Sequence, residues 1–76
     1  MEIAPRISVD AEVCHGAAVI TGTRVMVWVI LEALVGGLNK EEVAREYGLA
    51  TEDIDAALAF AAHLVMQTDV VPLPGA

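Results

Sequence analysis

The chain has 76 residues, 57% of them hydrophobic, with 4 Lys and Arg against 11 Asp and Glu and a formal net charge of -7. A chain this short makes one small domain, near the size at which a single core is only marginally sufficient, and its apolar fraction excludes a disordered tail. The negative balance works against a free-standing nucleic-acid binder, since Lys and Arg supply most affinity for phosphate, and suits a protein that meets a basic surface.

A lone cysteine, Cys14, has no partner for an internal disulfide, which points to a reducing compartment. No charged segment followed by an apolar stretch opens the chain, so no signal peptide is expected and the expected location is the cytoplasm. Two histidines and one cysteine provide no metal-ligand spacing, and no cofactor is expected.

Residues 1–6 read as a flexible N-terminus. Ile7, Val9 and Val13 then alternate with polar residues such as Ser8 and Asp10, the period of a half-buried strand. Cys14-His15-Gly16 breaks that pattern, and Ala17 to Ile20 reads as a second short strand able to pair with the first. An isolated two-stranded ribbon is marginal in water, so this one must lean on helices or on a second subunit.

From Val25 to Val35 the chain is apolar apart from Glu32, and Gly36-Gly37 stops it. The stretch is too short for a bilayer, which needs about 20 residues. A helix apolar on every side needs cover on every side, which a chain this short hardly provides alone. The sequence therefore suggests a partner chain before it suggests a chemistry.

The second predicted helix opens at Asn39, a good N-cap, with Glu42 three residues on to complete a capping box. Val43 and Tyr47 are predicted to face inward, Lys40, Glu41, Arg45 and Glu46 outward, and Gly48 ends the helix as a left-handed cap. Thr51 is the expected N-cap of a third helix whose first turn carries Glu52, Asp53 and Asp55. Its predicted inward stripe is Ile54, Leu58, Ala61 and Leu64–Val65, with Ala57, Ala59 and Ala62 allowing close packing. Pro72 and Pro74 forbid further helix. The expected fold is thus mainly α: a short N-terminal β-hairpin followed by three helices, the last two at helix-turn-helix spacing. Residues 7–67 form the domain and 68–76 an extended C-terminal tail. Leu31, Leu34, Val43, Tyr47, Ile54 and Leu58 are the expected core.

Arg24, in G-T-R, has two readings. Its guanidinium reaches a carboxylate or phosphate on a partner, or it pairs with Asp10, Glu12 or Glu32 within the domain or across a dimer. Cys14-His15 invites a nucleophile–base reading, but neighbours on a strand point to opposite faces, so a small buried cysteine beside an exposed histidine is expected. His63 lacks companions for a ligand set. The carboxylates at Glu52, Asp53 and Asp55 complement a helix dipole or dock a basic partner, and they would repel a phosphate-lined groove. Trp28, Phe60 and Met66 are large apolar residues on helices that already have an inward stripe, which makes them interface candidates. The terminal V-V-P-L-P-G-A reads as a frayed end or as an extended peptide for a partner's groove.

The strings V-C-H-G-A-A-V-I-T-G-T-R-V-M-V and L-V-G-G-L-N-K-E-E-V-A-R-E-Y-G-L-A-T-E-D-I-D-A-A-L-A-F-A resemble the small bacterial domain-of-unknown-function family 433, over roughly residues 7–62. Members of that family look like VapB-type antitoxins. The resemblance implies a homeodomain-like helix-turn-helix fold, commonly dimeric, with a PIN-domain ribonuclease toxin as the partner of at least some relatives. The chain departs from the family pattern, which has Gly at His15, Pro at Ala18, Met26 and Gly48, and a basic residue at Thr21.

The first expectation is therefore an antitoxin-like homodimer that occludes a PIN-type ribonuclease, with Arg24, Trp28, Phe60 and Met66 at a partner or dimer interface. The alternative is a helix-turn-helix autorepressor with Arg24, Lys40 and Arg45 as DNA contacts. No enzyme activity is expected, because no nucleophile–base pair or phosphate-binding loop stands out, and no membrane role is expected.

Overall fold

The computed structural model describes residues 1–68. Three short strands come first: β1 (Glu2–Ala4), β2 (Ile7–Ser8) and β3 (Val19–Ile20). They form an antiparallel sheet in the order β1-β2-β3. Three helices follow: α1 (Val27–Val35), α2 (Lys40–Tyr47) and α3 (Thr51–Gln67).

The expected two-stranded ribbon is thus a three-stranded sheet, and the expected loose N-terminus supplies its extra strand. Pro5 and Arg6 make the β1–β2 turn, with Arg6 at φ 65° and its N–H donating to Glu2 Oε1 at 2.8 Å. Beyond the strand, Met1 and Val9 exchange two backbone hydrogen bonds, at 2.8 and 3.0 Å. β2 pairs Ile7 with Ile20 and Ser8 with Val19. The far side of β3 is covered by the chain's own return, where Val19 bridges Met26 and Ile20 N–H donates to Val25 O at 3.0 Å.

The second helix forms as its sequence dictates. Asn39 Oδ1 accepts from Glu42 N at 2.8 Å and Glu42 Oε1 accepts from Asn39 N at 3.0 Å, which satisfies two otherwise orphaned donors. Gly48 closes it at φ 68°, a conformation that costs a residue with a Cβ about 1 kcal/mol. The start of α3 differs from expectation. Ala50, not Thr51, is the N-cap residue, and its N–H donates to Asp53 Oδ2 at 3.0 Å. The carboxylate three residues into the helix reaches back and does the capping, which leaves the Thr51 hydroxyl to donate to Glu52 Oε1.

Core formation draws on every element. Ile7, Ile20, Val27, Ile30, Val43, Ala44, Ile54 and Ala57 form one buried cluster, with Leu31, Leu34 and Phe60 half-buried against it. Two expected core residues sit outside: Tyr47 is 37% exposed and Leu58 is 40% exposed. On α3 the buried pair is Ile54 and Ala57, three residues apart, so the inward face passes through Phe60 and Ala61 and turns Leu58 outward. Small Ala44 of α2 and Ala57 of α3 are both buried in this cluster, and the large side chains filling the centre are Ile7, Ile20, Ile30 and Ile54.

Beyond Ala61 every described residue of α3 is exposed, Leu64 at 48%, Val65 at 66% and Met66 at 83% among them. Thr68 ends the helix, its hydroxyl donating to Leu64 O at 2.8 Å. The rest of the expected tail, 69–76, lies outside the described residues. No helix among the described residues is long and apolar enough to cross a membrane.

Candidate interaction surfaces

Three surfaces gather the residues that the sequence singles out. The first is the acidic end made by α2 and the start of α3. Glu41, Glu46, Glu52 and Asp55 are exposed there. Two of the chain's four Lys and Arg residues are spent on this end. Lys40 Nζ donates to Asp55 Oδ1 at 2.8 Å, and Arg6 Nη1 donates to Asp53 Oδ1 at 2.9 Å. The hydrogen bond and charge of Asp55 hold the Lys40 pKa above its ordinary value. Asp53 thereby serves twice, capping α3 through Oδ2 and tying the β1–β2 turn to α3 through Oδ1.

The second surface lies around Arg24. The residue is exposed and makes no ion pair among the described residues, so Asp10, Glu12 and Glu32 are not its partners within the domain. It borders an open cleft of about 460 Å³ that Ser8, Asp10, Val13, Val19 and Thr23 also line. Ser8 Oγ and Thr21 Oγ1 are hydrogen-bonded at 2.6 Å, which ties β2 to the residue that follows β3. Next to the cleft, Cys14, His15 and Gly16 make one tight turn with φ of 51°, 57° and 83°. Cys14 is half-buried with Sγ 3.5 Å from Arg24 O, while His15 is exposed; the pair is not a nucleophile and base in contact. The left-handed φ at His15 is the condition under which glycine carries no steric cost.

The third surface is an apolar trough of about 260 Å³ between α1 and α3, lined by Val27, Trp28, Leu31, Phe60, Ala61 and Leu64. Trp28 is 55% exposed at its edge and Phe60 is half-buried in its floor. Met66 is exposed two residues beyond Leu64, near the end of α3. A second apolar hollow, of about 370 Å³, lies on the other side of Phe60 against Ile3, Ala56, Ala59 and His63. Trp28 and Phe60 thus line one trough and Arg24 a separate cleft, whereas Lys40 and Arg45 belong to α2. Among the described residues no group of three or more His, Cys, Asp or Glu side chains is placed to hold a metal ion.

Residues 7–61 match the family described as a protein of unknown function, DUF433. The chain belongs to the DUF433 family. Among solved structures, this DUF433 chain is similar to a DUF433 member protein from Anabaena variabilis, at 32% identity and a TM-score of 0.73 over 82% of this chain and 62% of that one. It is also similar to Rv2018 from Mycobacterium tuberculosis, at 29% identity and a TM-score of 0.63 over 68% of this chain and 24% of that one. The chain therefore spans less than two thirds of the first protein's length and about a quarter of the second's. No curated protein matches it.

Proposed function

We propose that this DUF433 chain is an antitoxin-like, homodimeric interaction protein that silences a PIN-type ribonuclease by covering the enzyme's basic RNA-binding surface. The observation that carries the reading is the acidic end. Glu41 and Glu46 are exposed on α2, and Glu52 in the first turn of α3. Arg6 and Lys40 are committed to Asp53 and Asp55, which leaves Arg45 as the one cation of α2 without an ion pair among the described residues. A surface with that surplus of carboxylate steers towards a positively charged partner and repels nucleic acid. Inhibition then works by occlusion, with no bond made or broken by this chain.

In the same reading α2, the Gly48–Ala50 link and α3 make a homeodomain-like helix-turn-helix. That arrangement supports a second role, an autorepressor contacting its operator through Arg24, Lys40 and Arg45. Two features work against it for the free chain: Lys40 is held by Asp55, and Glu52 stands in the first turn of α3, where recognition helices present residues to base edges. A bound basic partner would offset the charge and restore affinity for DNA.

The test mixes the purified chain with a PIN-type ribonuclease encoded beside it and follows RNA cleavage. Stoichiometric inhibition that is lost when Glu41, Glu46 and Glu52 are all changed to Lys is the expected result. Full ribonuclease activity and no complex at low salt would overturn the reading, because charge-driven association is strongest there. A gel shift with upstream DNA, run at two salt concentrations with and without the ribonuclease, tests the second role.

A further inference from the structure

The inward stripe of α3 continues past the end of the core. Ile54 and Ala57 are buried, Ala61 and Leu64 carry the stripe into the trough beside α1, and Thr68 stands one turn beyond Leu64 on the same side. No charged residue lines that trough. Leu64 is 48% exposed and Trp28 is 55% exposed, so the described residues leave its Thr68 end uncovered. At Thr68 the backbone has left the helix, at φ -100° and ψ 122°. Its N–H donates to Val65 O at 3.2 Å and its hydroxyl to Leu64 O at 2.8 Å, which fixes the exit beside the trough.

Asp69 follows, and then Val70-Val71-Pro72-Leu73-Pro74, all outside the described residues. We propose that residues 70–73 seat in the trough between α1 and α3 of their own chain, with Val70 against Leu64 and Trp28 and Leu73 against Phe60. The inference does not rest on the proposed function, since it needs neither a ribonuclease nor a second copy.

Reach, chemistry and tethering each support this occupant. Phe60 lies eight positions before Thr68, about 12 Å back along the helix axis. Residues 69–73 in polyproline form span about 15 Å, enough to run from the exit to the floor of the trough. The prolines favour that form, because each fixes its own φ and pushes the preceding residue, Val71 or Leu73, to extended backbone. With three residues per turn, Val70 and Leu73 fall on one side of the segment and supply two apolar contacts in line. The segment's one charged residue, Asp69, stays at the tethered end beside Thr68. A segment held this close faces the trough at an effective concentration of the order of millimolar, so it fills the site ahead of a weakly binding free partner. Any protein that uses the Trp28–Phe60 face must then displace residues 70–73, which makes them a built-in competitor for that face.

Trp28 is the chain's only tryptophan, so its fluorescence reads the trough directly. The experiment compares the full chain with Val70→Asp/Leu73→Asp across a hundredfold dilution series, following the emission maximum and quenching by acrylamide. The wild type is expected to emit at shorter wavelength and to be quenched less than the variant, equally at every concentration. Circular dichroism verifies that the variant keeps its helices. In the wild type, nuclear Overhauser contacts from the Leu73 methyl groups to the Phe60 and Trp28 rings are expected as well. Identical emission and quenching in the two proteins, with no such contacts, would overturn the inference. So would a wild-type blue shift that fades on dilution, because an occupant from the same chain does not depend on concentration.

Discussion

Asp53 is the side chain whose loss says most about how the domain is held together. Its Oδ2 accepts from Ala50 N–H at 3.0 Å, and its Oδ1 accepts from Arg6 Nη1 at 2.9 Å. The side chain of Asp53 is 14% exposed and that of Arg6 is 49% exposed. Removing an N-terminal capping acceptor costs about 0.5–2 kcal/mol. A pair exposed on the Arg6 side adds about 0.2–1 kcal/mol after screening. Asp53→Ala is therefore expected to destabilise by about 1–2.5 kcal/mol. In a domain of this size each kcal/mol moves the melting midpoint by about 4–8 °C, so a drop on the order of 10 °C follows. Arg6→Ala, which removes only the pair, is expected to cost less than about 1 kcal/mol. Asp53→Asn, which keeps one acceptor for Ala50 N–H, falls between the two. The assay is urea denaturation followed by circular dichroism at one fixed protein concentration, because association shifts apparent stability. The double-mutant cycle of Arg6→Ala and Asp53→Ala isolates the pair. An Asp53→Ala variant as stable as the wild type would refute the capping argument. A coupling free energy of zero would remove the tie between the β1–β2 turn and α3.

Further outcomes follow from the same geometry. Ile54→Ala deletes a fully buried side chain at the centre of the core and is expected to cost about 2–5 kcal/mol in the same denaturation assay, whereas Leu58→Ala, on the exposed side of α3, is expected to cost far less. His15→Gly relieves a left-handed φ of 57° and is expected to be neutral or to stabilise by up to about 1 kcal/mol, while Gly48→Ala imposes that strain at φ 68° and is expected to destabilise by about 1 kcal/mol; thermal melts read both. The Lys40 pKa is raised in the folded state, chiefly by the hydrogen bond to Asp55. Its contribution to stability is therefore complete below the ordinary value of 10.5 and fades as pH climbs through the raised one. Denaturation of the wild type and Lys40→Met across alkaline pH should show the difference between them closing.

Those parts of the fold whose signals are local were legible in the sequence. The α2 capping box and its glycine cap each depend on residues within one or two turns, and both are formed. The packing register of α3 was not legible, because apolar residues lie all round that helix and no stripe stands out. Leu58 and Ala57 compete for the inward position, and the smaller residue takes it, fully buried in the core cluster while Leu58 is 40% exposed. β1 was hidden for a different reason. Glu2-Ile3-Ala4 has no strand pattern of its own and becomes a strand through its pairing with β2. Thr51 looked the better N-cap by residue type, yet the Asp53 carboxylate satisfies the donor from within the helix. Among candidate interface residues, the exposure of Trp28 and Met66 and the half-burial of Phe60 fit large apolar side chains left over once a small core is full. That Arg24 has no acidic partner among the described residues could not be read from sequence, where Asp10, Glu12 and Glu32 all stood close enough along the chain.

Light scattering of the purified chain at micromolar concentration bears most directly on whether this is a protein that works by association. A particle of twice the 8.0 kDa mass of one chain is expected. A folded particle of 8.0 kDa that persists as concentration rises would contradict it.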